Sequence, residues 1–121
     1  MVEKTPVARR IDVRLRSLHE QIEAFSWYAE RFVTPVGLVQ EGDWFALEAE
    51  WRDGRDRFER LHQWFLNGEL SAEQAEKHRQ NLALLAESVP LLRQLQIALP
   101  RGEVARWIET NSRPPALAEP A

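Results

Sequence analysis

Glu59 and His62 are three residues apart. On a helix that spacing puts a carboxylate and an imidazole on one face, as in the Glu-x-x-His motifs of di-iron bundles. Such a centre needs two motifs and two further carboxylates, and the chain has one motif. His19 and His78, with Glu20, Glu23 and Glu76, are the other ligand types that neighbouring segments could bring near. Glu59 and His62 fall beside the apolar stripe of their own segment, which directs them toward a flank or solvent, next to Arg55 and Arg60. They are weak metal candidates, and the expectation is no metal and no cofactor. His78 instead falls on an apolar stripe, between Ala75 and Leu82. A histidine there is either a boundary residue satisfied by a carboxylate or carbonyl, or a pH-responsive or ligand-contacting group.

Other chemistries find less support. The chain has no cysteine, which excludes thiolate zinc sites, cysteine nucleophiles and a disulfide framework. No serine or threonine stands in a nucleophile elbow and no glycine-rich phosphate loop is present. The glutamates sit mostly at helical positions that face solvent. The expectation is a protein that is not an enzyme.

A basic cluster opens the chain, where Lys4, Arg9, Arg10, Arg14 and Arg16 outweigh Glu3 and Asp12. Arg9, Arg10, Arg14 and Arg16 are the basic-patch candidates for RNA or an acidic protein. Further on, Arg52, Arg55, Arg57 and Arg60 interleave with Asp53, Asp56 and Glu59, a pattern of mutual neutralisation on a helix face. The whole chain carries 16 basic and 19 acidic residues, a net charge of −3. A nucleic-acid surface wants a net basic patch, so RNA is the less favoured partner.

The elements that must position these residues are helices. From Pro6 to about residue 33 the apolar positions Ile11, Leu15, Leu18, Ile22, Phe25, Ala29 and Phe32 alternate in steps of four and three. That is a helical stripe of period 3.5, with Pro6 in the first turn and Thr34-Pro35 as the stop. A loop over 34–42 leads to a second helix over about 43–66, with Asp43 as N-cap. Its stripe is Trp44, Leu47, Trp51, Gly54, Phe58, Leu61 and Phe65. Asn67-Gly68 ends it, and Ser71-x-x-Gln74 is a capping box that starts a third helix at about 71. Pro90 either kinks that helix or breaks it, with Ser88 capping a fresh one. Pro100-Arg101-Gly102 closes the segment, and a short amphipathic helix over about 103–110 presents Val104, Trp107 and Ile108 on one face.

The expected fold is all-α: an up-down-up bundle of three long antiparallel helices plus a short C-terminal helix. Residues 1–110 read as a single helical domain and 111–121, with three prolines, as a disordered C-terminal tail. No apolar run approaches the roughly 20 residues of a membrane span, and no signal-peptide pattern opens the chain, so the expected setting is the cytoplasm without membrane contact.

The apolar residues that one core does not explain point to a partner. Trp27 lies opposite the first stripe. Residues 89–99 are apolar on nearly every side, so they are buried on nearly every side, by the short helix or by another chain. Leu91, Leu95, Ile97 and Leu99, with Trp27 and Trp107, are the interface candidates. The functional expectation is a non-enzymatic protein–protein interaction or assembly subunit acting as a homodimer. The alternatives are a small RNA-associated subunit using the basic first helix, and a ligand- or metal-binding bundle around His62 or His78.

Overall fold

A computed structural model describes residues 5–32 and 41–111, the side chains of 32 and 41–43 excepted. Four helices follow one another: α1 (Pro6–Phe32), α2 (Glu41–Leu66), α3 (Ala72–Leu95) and α4 (Gly102–Asn111). No strand occurs among the described residues. Residues 34–40 of the loop expected over 34–42 and residues 112–121 of the expected tail lie outside them. No described helix is long and apolar enough to cross a membrane.

The first stripe is the buried side of α1: Ile11, Leu15, Leu18, Ile22 and Phe25 join one core cluster with Leu47, Trp51, Phe58 and Leu61 of α2, Leu82, Leu85, Leu92 and Leu95 of α3, and Val104 of α4. Trp51 is fully buried and packs edge-on against Phe25, with ring centroids 5.0 Å apart. Gly54 interrupts the α2 stripe because the Gln21 amide of α1 occupies the space a Cβ would need. That amide donates to the Glu50 carbonyl at 3.0 Å. A glycine in mid-helix costs about 1 kcal/mol against alanine, and here it admits a cross-helix hydrogen bond.

Helix ends follow local chemistry. Thr5 caps α1, its hydroxyl accepting from the Ala8 amide at 3.1 Å. Ser71 caps α3 in a complete capping box with Gln74. Gly68 takes φ 73 and closes α2, the Gly68 and Glu69 amides donating to Phe65 and Trp64 carbonyls.

Four expectations need correction. The second helix begins at Glu41, so Asp43 lies inside it and is not its N-cap. Of the two expectations at Pro90 only the break is overturned: the third helix runs unbroken through it, and the Ser88 hydroxyl donates to the Leu84 carbonyl at 2.8 Å instead of capping. Pro90 is on the exposed side of α3, where water can serve the carbonyl that its missing N–H leaves free. α3 ends at Leu95, well before Pro100, because Gln96 adopts the left-handed conformation at φ 56. The Gln96 and Ile97 amides then donate to the Arg93 and Leu92 carbonyls, both at 3.1 Å, with Leu92 and Ile97 buried together. This is a Schellman stop built without glycine. Asn111, expected in the tail, is the last residue of α4.

Polar side chains set how α3 lies on α1. Gln74, Asn81 and Ser88 are buried and spaced seven residues apart. The Gln74 amide donates to the Ala8 carbonyl and the Asp12 carboxylate at 3.2 and 3.0 Å. The Asn81 amide donates to the Leu15 carbonyl at 3.0 Å, and its oxygen lies 2.9 Å from His19 Nδ1. Buried polar groups of this kind specify register because any slip would leave them unpaired.

Candidate functional site

α2 and α3 bring His62 and His78 together. Both rings are completely buried, which overturns the expectation that His62 points to a flank or solvent. α4 is the reason: Trp107 packs edge-on against His62, with centroids 5.8 Å apart, and closes a flank that the α2 stripe alone leaves open. Phe65 stacks on His62 at 5.6 Å, and Phe58 and Phe65 lie 5.3 and 4.9 Å from the His78 ring.

His62 Nδ1 and His78 Nε2 are 2.9 Å apart. His78 is thus satisfied by an imidazole, where a carboxylate or carbonyl was expected. The outer nitrogens, His62 Nε2 and His78 Nδ1, are buried without a hydrogen-bond partner. Whichever ring donates, the count is the same. One outer nitrogen is an N–H without an acceptor and the other is a lone pair without a donor. Each such group costs roughly 1–3 kcal/mol. Burial pushes the His62 imidazole below its usual value against the opposing pull of Glu59 and Glu103. Burial, reinforced by His62 and Arg79, pushes His78 down to about 3. Both rings are neutral at pH 7.

Glu59 has a different task from metal binding. Its two carboxylate oxygens accept the Glu103 and Val104 amides at 3.0 and 3.3 Å. It therefore serves the free donors and the positive end of α4. Gly102 stands at that entry with φ 63, and a Cβ there would meet Glu59 Oε1 at 2.7 Å. Among the described residues no group of three or more potential metal ligands is placed to hold an ion.

The interface candidates divide. Leu95 is wholly buried and Ile97 is 5% exposed, so neither is free to meet a partner. The indoles of Trp44 and Trp51 donate to the Leu95 and Ala98 carbonyls, both at 2.6 Å, and tie the chain after α3 to α2. Leu91 and Trp107 are half-buried against the core. Leu99 and Trp27 remain exposed, at 39% and 48%. The surplus at 89–99 is thus covered largely within this chain.

α1 carries the remaining candidates. Trp27 contacts Tyr28 edge-on at 5.1 Å, and the Arg31 guanidinium lies 4.0 Å from its ring centroid. Val13, two turns from the start of the helix, is 62% exposed. Arg9, Arg10 and Arg14 line a groove of about 430 Å³ with Arg57 of α2, and no carboxylate contributes to its lining. Arg16 faces away from that groove, in a mixed-charge setting with Asp12, Glu20, Glu23 and Lys77.

Sequence reading missed the histidine pair, the polar spine at Gln74, Asn81 and Ser88, and the capping role of Glu59. The seven-residue spacing of the spine was a usable signal. The other two depend on where α4 lands, which no local pattern encodes. No known family, curated protein or solved structure matches the chain.

Proposed function

We propose that the protein is a non-enzymatic helical interaction subunit, cytoplasmic, that acts as a homodimer. The observation that carries this reading is the outward side of α1. Val13 and Trp27 are about four turns apart on it, 62% and 48% exposed, and Trp27 is grouped with Tyr28 and Arg31. Trp, Tyr and Arg are the residue types that dominate binding hot spots.

The helices are read as an up-down-up bundle of three long antiparallel helices, with α4 beside α2 and α3. Three sets of contacts support that arrangement. Residues 8 and 12 meet 74 while 15 and 19 meet 81. Residue 62 meets 78 while 44 meets 95. Residue 21 lies against 54 while 25 meets 51. Such a bundle turns one long side of α1 away from the core residues Ile11 to Phe25, and that side is the interface.

A small RNA-associated subunit is the second reading, favoured by the carboxylate-free groove of Arg9, Arg10, Arg14 and Arg57. It ranks lower because Arg57 already pairs with Asp53 at 2.9 Å and the whole chain is acidic.

Light scattering over a dilution series tests the first reading. The wild-type chain is expected at twice its 14.1 kDa mass at the concentrated end. Trp27→Ser is expected to shift the equilibrium toward the single chain, with helix content unchanged. A wild-type chain that keeps the single-chain mass throughout contradicts the reading.

A further inference from the structure

The outward side of α1 has a charge order that a single chain does not use. Arg9, Arg16, Glu23 and Glu30 follow one another at seven-residue steps, all exposed, and read plus, plus, minus, minus. Seven residues fall about 20° short of two full turns, so these side chains form one slowly drifting line. Val13, Glu20 and Trp27 form a second line beside it. Arg9, Arg16 and Glu30 make no ion pair with any described residue, and among the described residues the Glu23 carboxylate pairs with the partly exposed His19, at 3.0 Å. Core residues Ile11 to Phe25 face the other way.

We infer that this side of α1 is the seat of a second copy of the chain, docked with its α1 antiparallel about a two-fold axis passing between His19 and Glu20. This rests on the homodimer reading above and names its surface and register. A two-fold interface must be self-complementary, because the same patch meets itself. The order plus, plus, minus, minus meets that condition only when the second helix is reversed. Arg9 then faces Glu30 of the other copy and Arg16 faces its Glu23, and the symmetry makes each pairing twice. Val13 comes beside the other copy's Trp27, so the two exposed apolar groups cover each other. A parallel docking would set arginine on arginine and glutamate on glutamate along the whole line, which is repulsive. Charge order thus fixes direction and register, while Val13 and Trp27 provide the apolar contact.

The test separates the charges and recombines them. Arg9→Glu with Arg16→Glu makes the line wholly acidic, and Glu23→Arg with Glu30→Arg makes it wholly basic. Each variant alone is expected to lose about tenfold in self-association at low salt, since four attractive contacts become repulsive. The two variants mixed are expected to form a mixed dimer. The fourfold variant, whose order is minus, minus, plus, plus, is expected to recover the wild-type mass. A wild-type dimer whose mass is untouched by either reversal overturns this register while leaving the homodimer reading standing. A wild-type chain that never dimerises overturns both. Loss of RNA-oligonucleotide binding in the Arg9→Glu, Arg16→Glu variant with no change in mass also overturns the inference, and assigns the basic half to nucleic acid.

Discussion

His62 and His78 each give one ring nitrogen to the other and keep one buried and unpartnered, so the pair is held by its aromatic shell at a cost to stability. Acid sensitivity follows from it. Both rings have folded-state values below the ordinary 6.5, with His78 at about 3. The unfolded chain therefore binds protons that the folded chain refuses. The stability tied to neutral rings is complete above pH 6.5 and drains away as the pH falls toward 3. Glu59 and Glu103 face the pair from α2 and α4 and Arg79 from α3, so the surrounding charges oppose the shift at His62 and deepen it at His78. The expected result is a melting temperature that falls steadily below pH 6.5. In His62→Leu with His78→Leu that slope flattens, and neutral-pH stability rises because two orphaned nitrogens are gone. An unchanged slope in the double variant would assign the acid sensitivity to other groups. His78 was legible in sequence as a stripe residue. His62 was not, because a residue one step past Leu61 reads as a shoulder until α4 is laid over it.

At the scale of elements, the helices were legible wherever apolar spacing or cap chemistry is local. Ser71 and Gln74 marked the start of α3 to the residue, and Gly68 marked the end of α2. The end of α3 was hidden because its left-handed residue is Gln96, and nothing in glutamine signals a stop. Gln96 is exposed, and its backbone amide alone makes the capping bonds. A side chain in that conformation costs roughly 1–2 kcal/mol, part of which glycine returns through a more flexible unfolded chain. Gln96→Gly is therefore expected to raise the denaturation midpoint by an amount worth about 0.5–1 kcal/mol. A lower midpoint would mean that the glutamine side chain supports the turn. The same stop explains why Leu95 and Ile97 failed as interface residues. Once the chain turns at Gln96, Trp44 and Trp51 draw the connector onto α2 and both side chains enter the core.

At the scale of the whole molecule, the interaction reading narrows from the apolar stretch at 89–99 to the outward side of α1. Arg9 and Arg16 of the basic cluster and the exposed Trp27 fall on one side of α1 with Glu23 and Glu30, while Arg10 and Arg14 line the groove toward Arg57 of α2. The most direct test of two copies meeting there uses the absence of native cysteine. Glu20→Cys places a thiol beside the proposed two-fold axis, and Leu66→Cys places one at the exposed end of α2 as a control. Under mild oxidation the account predicts a disulfide-linked dimer for Glu20→Cys at concentrations where Leu66→Cys stays single. Equal linkage in the two variants, or none at residue 20 in a chain that is dimeric by mass, would contradict it.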